Sequence, residues 1–297
     1  MRLSTRQRKR RVAHPAGERN IGRLLLIGGN EDMHSDAKDM RILPHFVKLC
    51  GGKRARIIVC GTPSKRVKEK EREYAKIFRE LGAKHVFEAD VRTRQDAEAD
   101  ELLAEVRRTK GVFFTGGDQL RLTSIIAGTP FGEEVRHRLW NNGLVVAGTS
   151  AGAAAVSSTM IIGGAERGTV RRADVRLAPG LGYWRDTVVD THFAQRGRIS
   201  RMLVLFAQNP QILGIGIDEN TAVDVRPGER FLVVGEGAAF VFDGAVTHSN
   251  APEVYDDEVI AMTDAVLHVL PENYGFDLRT KRPILPSKTQ VPARPAQ

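Results

Sequence analysis

The chain has 297 residues, 41% hydrophobic and 27% charged, which is enough for one large α/β core or two smaller ones. No apolar run approaches the ~18 residues of a membrane span, and Leu24-Leu25-Leu26-Ile27 is too short for a secretory signal core. The net charge of +9 would suggest a nucleic-acid ligand if it were spread over the fold. Residues 1–20 carry net +6 and residues 281–297 net +4, which leaves −1 for residues 21–280. The folded body is therefore near neutral, and nucleic-acid contact is expected only as weak binding by the tail QRKRR.

In chain order, residues 1–21 read as a basic disordered tail, 22–285 as a single α/β hydrolytic domain, and 286–297 as a Pro-rich C-terminal tail. From residue 23, short apolar runs alternate with amphipathic stretches, the pattern of βαβ units around a mostly parallel sheet flanked by helices. Strands are expected at Arg23–Ile27, Arg56–Cys60, His85–Glu88, Gly111–Thr115 and Leu144–Ala147, with helices at Lys65–Leu81, Arg94–Thr109 and Gln119–Ala127. Cys50 and Cys60 lack metal-ligand spacing and fit buried, reduced thiols of a cytoplasmic protein. Four strands run directly into small or turn residues (GGNED, GTPS, TGGDQ and GTSAG), and ligands in open α/β sheets bind beyond such carboxyl ends. After about residue 210, the runs Ile212–Ile217, Ala222–Val225, Phe231–Val234 and Ala238–Phe242 read as β-hairpins added at the edge or end of the same sheet.

The segment Gly148-Thr149-Ser150-Ala151-Gly152 matches the G-x-S-x-G nucleophile elbow, with an apolar strand before it and a small-residue helix start after it. A sharp elbow leaves no room for side chains two positions either side of the nucleophile, hence the glycines. The bland reading is a serine helix cap in a crowded turn. As a nucleophile, Ser150 would have its oxyanion held by main-chain N–H groups near Ala151 and Gly117.

A serine nucleophile needs a base. Of the eight histidines, seven read as surface or packing residues, while His192 follows the strand-like run Val188–Asp190 into a polar loop. Arg196, Arg198 and Arg201 follow on a helix starting near Gly197, where Arg198 and Arg201 would share a face and could grip carboxylates, or simply form a solvated basic face. The residues alone leave the orienting acid open among Asp190, Asp218 and Glu219. Gly116-Gly117-Asp118-Gln119 reads as a loop bringing backbone close to the reacting centre, with Gln119 on the substrate. There is no P-loop, HExxH or CxxC, so the chemistry is expected to need no metal or cofactor.

Together, LLLIGGNED, VFFTGGDQ, GTSAGAAAVS, DTHFAQRGRISRML and GIGIDENTA, in this order, resemble the cyanophycinase family over residues 22–285. These are serine peptidases related to aspartyl dipeptidase (peptidase E), with a fold like class I glutamine amidotransferases. The resemblance implies hydrolysis of cyanophycin, multi-L-arginyl-poly-L-aspartate, into β-Asp-Arg dipeptides. It makes Ser150 the nucleophile, His192 the base and Glu219 the orienting acid, and it places Gln119, Asp190, Thr191, Arg196, Arg198 and Arg201 at substrate positions. Thr191 departs from the pattern, which usually carries glutamine there, and shortens one polar contact. A homodimer with no membrane association is the expected assembly. The competing readings are an aspartyl or isoaspartyl dipeptidase without polymer preference and a non-catalytic binding protein on the same fold.

Overall fold

The structure is a computed structural model and describes residues 20–32, 39–164, 168, 170–244 and 248–286. Most of both proposed tails, with His14 and His34, lies outside the described residues.

The first half alternates as expected: β1 (Arg23–Ile27), α1 (Ile42–Leu49), β2 (Arg56–Cys60), α2 (Val67–Glu80), β3 (His85–Glu88), α3 (Asp100–Arg108), β4 (Gly111–Phe114), α4 (Gln119–Ile126), α5 (Pro130–Asn141) and β5 (Val145–Thr149). The strands are continuous apolar runs because both faces are covered by helices. Along β1, Leu24 and Leu26 enter the core on one face of the sheet while Leu25 and Ile27 enter the core on the other. In α2 the stripe Val67, Tyr74, Ala75 and Phe78 is buried together with Glu71, and most of the remaining Lys, Arg and Glu lie toward the outer face. Helix starts follow side-chain chemistry: Asp118 accepts from the N–H groups of Leu120 and Arg121 at α4, and Thr129 from that of Gly132 at α5, which opens on Pro130.

The second half holds α6 (Ala151–Ala154), β6 (Thr159–Gly164), β7 (Val175–Pro179), β8 (Thr187–Thr191), α7 (Ile199–Gln208), β9 (Leu213–Ile217), β10 (Thr221–Arg226), β11 (Arg230–Gly235), β12 (Ala238–Asp243), β13 (His248–Ser249), β14 (Met262–Thr263), β15 (Val266–Pro271), β16 (Gly275–Asp277) and β17 (Arg282–Ile284). The main sheet has the order β17-β16-β11-β10-β1-β5-β4-β2-β3, parallel from β1 through β3 and antiparallel from β1 outward to β17. Reaching β1 from β10 requires an antiparallel pairing in register Leu24↔Val225 to Ile27↔Ala222.

Three expectations need correction. The strand before Ser150 runs on to Thr149, so it delivers the serine directly. The helix expected at Arg94–Thr109 is split: the Asp96 carboxylate binds the N–H groups of Arg92 and Thr93 in a turn, Ala99 is extended, and only α3 is α-helical. The late hairpins do not all join one sheet. β10 and β11 extend the main sheet, whereas β9 and β12 pair with β8 and β15 in a separate four-stranded sheet, order β15-β12-β9-β8. β9 is buried along its whole length, which a hairpin at a sheet edge would not be. Its Gly214 and Gly216 leave room for Met202 and Phe206 of α7 and for the Phe193 ring, and these aromatic rings pack with Phe242 into a core of their own.

Candidate active site

Four segments converge at the carboxyl ends of the strands. Ser150 follows β5 and takes φ 51 and ψ −114, a positive-φ conformation that a side-chain-bearing residue holds only when its surroundings enforce it. Here the Ser150 N–H donates to the Ile27 carbonyl at 2.9 Å, and its own carbonyl accepts from the N–H groups of Ala153 and Ala154 at 3.0 Å each. The flanking glycines have the expected cause: a Cβ at Gly148 would overlap the Gly152 main chain, and one at Gly152 the Phe114 carbonyl.

His192 follows β8, also at positive φ (46°), with its N–H on the Gly28 carbonyl at 2.8 Å. Its Nε2 lies 2.8 Å from Ser150 Oγ and its Nδ1 2.6 Å from Glu219 Oε1. With Glu219 ionised, Nδ1 carries the ring proton and Nε2 accepts from the serine hydroxyl. Glu219 sits in the turn between β9 and β10. The Asn30 side chain donates to its carboxylate, and Gln195 Oε1 accepts from its main-chain N–H at 3.1 Å.

The electrostatics suit a base. Burial holds the His192 imidazole below its ordinary value; hydrogen bonding to Glu219 opposes this, and Arg196 and Arg198 reinforce it. Burial would raise Glu219, but its hydrogen bonds from Asn30 and His192 prevail and hold it below the usual carboxylate range. The imidazole is thus neutral and the carboxylate charged near neutral pH. Such a constellation can take a proton from the serine hydroxyl and return it to a leaving group.

Of the three acids left open by the sequence, Asp218 does not meet the imidazole. It accepts from the N–H groups of Ala194 and Ala238 and braces the loops instead. Asp190 lies inside the protein, bound by the guanidinium groups of Arg198 and Arg201. The sequence-based reading of Arg198 and Arg201 as a carboxylate grip, or as a solvated face, is corrected: both are buried at the start of α7, and Asp190 already supplies their carboxylate. Arg198 also donates to the Thr191 carbonyl at 2.7 Å, and Thr191 is itself buried in β8. Arg196 is the exposed arginine of the three and lies near enough to influence both His192 and Glu219.

Ala151 opens α6, where its N–H has no acceptor within the helix. Gly116 rather than Gly117 presses on the serine: a Cβ there would lie 3.4 Å from that of Ser150, while Gly117 packs on the Pro63 carbonyl. Gln119 donates its amide to the Ile161 carbonyl at 2.8 Å and does not line the cavity at Ser150, contrary to the expected substrate contact. That cavity, about 220 Å³, is lined by Ser150 and His192 and, from α2, by Lys70, Glu73 and Tyr74. Glu31 closes its floor, accepting from Tyr74 Oη and Thr149 Oγ1 at 2.5 Å each, and burial raises its pKa. The sequence reading passed over Asn30, Glu31, Gln195 and the α2 residues. The adjacency of Asn30-Glu31 to the double glycine after β1 was the available signal for two of them. Among the described residues, no three His, Cys, Asp or Glu side chains converge as a metal-ligand set.

Residues 24–233 match the profile of peptidase family S51. The chain belongs to that family. The cyanophycinase of Synechococcus elongatus is 35% identical over 260 residues, 87% of this chain and 80% of that protein. The cyanophycinase of Trichormus variabilis is 36% identical over 269 residues, 90% of this chain and 89% of its own. That of Geminocystis herdmanii is 35% identical over 262 residues, covering 88% and 95%. A solved peptidase structure from an acI-B1 Actinobacterium shares the fold, with TM-score 0.60 at 22% identity over 84% of this chain and 97% of that one. As an S51 member, the protein is a serine-type peptidase.

Proposed function

We propose that this S51 peptidase hydrolyses cyanophycin, the substrate named by its relatives, and releases β-Asp-Arg dipeptides. The observation that carries the reading is the hydrogen-bonded series Ser150 Oγ, His192, Glu219 at 2.8 and 2.6 Å, positioned at the sheet's carboxyl edge beside a cavity. A product that keeps its β link to arginine requires cleavage of the polymer's main-chain amide. Ser150 Oγ attacks that carbonyl while His192 Nε2 takes the hydroxyl proton, and Glu219 stabilises the resulting imidazolium. Main-chain N–H groups at Ala151 and the Gly116-Gly117 turn face the developing oxyanion. His192 then protonates the leaving amine, the C–N bond breaks, and water, deprotonated by His192, releases the acyl group from the serine. Arg196, exposed beside His192, is the arginine proposed to meet a substrate carboxylate.

The test is release of β-Asp-Arg from purified polymer by wild type and Ser150→Ala, with α-Asp-X and β-Asp-X dipeptides as competing substrates. Loss of about 10³-fold or more in the alanine variant is expected. Full activity in that variant would disprove the mechanism, and faster turnover of the dipeptides than of the polymer would replace the substrate assignment.

A further inference from the structure

The cavity beside Ser150 has a second wall for which the serine chemistry has no use. Lys70 and Glu73 stand one turn apart on α2, with Lys70 Nζ 2.7 Å from Glu73 Oε2. Both side chains are about one-third exposed, at 32% and 36%, and both line the same space as Ser150 and His192. Tyr74, the next residue, is buried, and its hydroxyl is fixed to Glu31, which in turn binds Thr149 beside the nucleophile. The wall is therefore tied at a set position relative to Ser150 and presents one cation and one anion together.

The substrate under the proposed function has matching chemistry. Each aspartate of the polymer bears an arginine joined through its α-amino group, so every arm presents one carboxylate and one guanidinium. We propose that α2 forms the arm-recognition subsite, with Glu73 taking the guanidinium and Lys70 the arm carboxylate; this rests on the polymer reading above. On binding, the Lys70–Glu73 contact is exchanged for two contacts to the arm, so that no charge is left unpaired. The exchange keeps the cavity balanced for a doubly charged arm and disfavours an arm with only one of the two charges.

The test uses short soluble oligomers with arginine arms and otherwise identical oligomers with citrulline arms, which keep the shape and the carboxylate but lack the cation. Wild type should prefer arginine arms through KM. Glu73→Gln should lose roughly tenfold or more of that preference, the worth of one charge-assisted contact. Lys70→Met should raise KM for both oligomers alike. The charge-swapped double variant Lys70→Glu with Glu73→Lys retains an ion pair on the helix, which guards against a merely structural effect, and it should lack the preference as well. An undiminished preference for arginine arms in Glu73→Gln, or in the swapped variant, overturns the subsite while leaving the polymer reading intact. Wild type that cleaves neither oligomer yet labels with a serine-reactive fluorophosphonate overturns the polymer reading and the subsite with it.

Discussion

Ser150 and His192 are held at positive φ, as is Asn30 beside them, and the main-chain N–H groups of Ser150 and His192 donate to carbonyls of β1 and the loop that follows it. The loop makes room for them. A Cβ on Gly29 would overlap the His192 ring, and Gly29 has φ 107, so Gly29→Ala should displace the imidazole while leaving the core untouched. The expected outcome is a kcat lower by about 10²-fold with Tm shifted by only a few degrees, measured by steady-state kinetics and thermal unfolding. The same ring sets the pH profile. Its neutral form is the base, and its pKa lies below the ordinary 6.5, so activity on the acid side should persist below that value. Arg196 is one cause of the depression, so Arg196→Gln should move the acidic limb of kcat/KM to higher pH. Glu219 opposes it, so Glu219→Gln should move the limb to lower pH while also reducing kcat. Limbs that stay in place in both variants would remove His192 as the titrating base.

At the scale of elements, β8 and α7 are joined through Asp190, whose one carboxylate binds both Arg198 and Arg201 inside the protein. Removing one partner of such a cluster leaves buried charge without compensation, so Asp190→Asn should destabilise by about 3–5 kcal/mol, read by denaturant unfolding. If instead the three residues bound substrate directly, KM would rise with stability unchanged. This cluster also shows what the sequence could convey. The elbow, the strands β1 to β5 and the histidine loop were legible because each rests on local chemistry: apolar runs between turns, and glycines around a serine. Whether Arg198 and Arg201 faced solvent was not, because that depends on Asp190 in the neighbouring strand. The same holds for Glu219 against Asp218: adjacent acids in one turn, distinguished only by which loops surround them. The contribution of α2 to the cavity was illegible for a related reason, since Lys70 and Glu73 occur in a run of charged residues that reads as an ordinary solvated helix face.

Across the whole molecule, the site exists because two sheets end at one place. Ser150 follows a strand of the main sheet, His192 a strand of the four-stranded sheet, and Glu219 the turn by which the chain passes from one to the other. The hydrogen bonds from His192 N–H to the Gly28 carbonyl and from Asn220 N–H to the Gly29 carbonyl, both 2.8 Å, join the two at the chemistry itself. Anything that loosens the frame should therefore lower activity and stability together, and pH offers a way to measure this. Glu71 of α2 is buried and accepts from the N–H groups of Gly61 after β2 and Asp90 after β3, which ties the helix bearing Lys70 and Glu73 to the sheet. Burial raises its carboxyl from 4.5 to about 7, against the pull of those two donors. The folded state then holds this proton more tightly than the unfolded chain, so the associated stability is complete below about pH 4.5 and is lost as pH rises through about 7. Depression of His192 works in the opposite sense, since its charging on acidification penalises the folded state. Comparison with Glu71→Gln isolates the carboxyl: between about pH 5 and pH 7.5 wild type should lose on the order of 2–3 kcal/mol relative to that variant, as followed by urea unfolding at each pH. Parallel pH dependence in the two proteins would show that Glu71 keeps an ordinary carboxyl in the fold and that its main-chain contacts outweigh its burial.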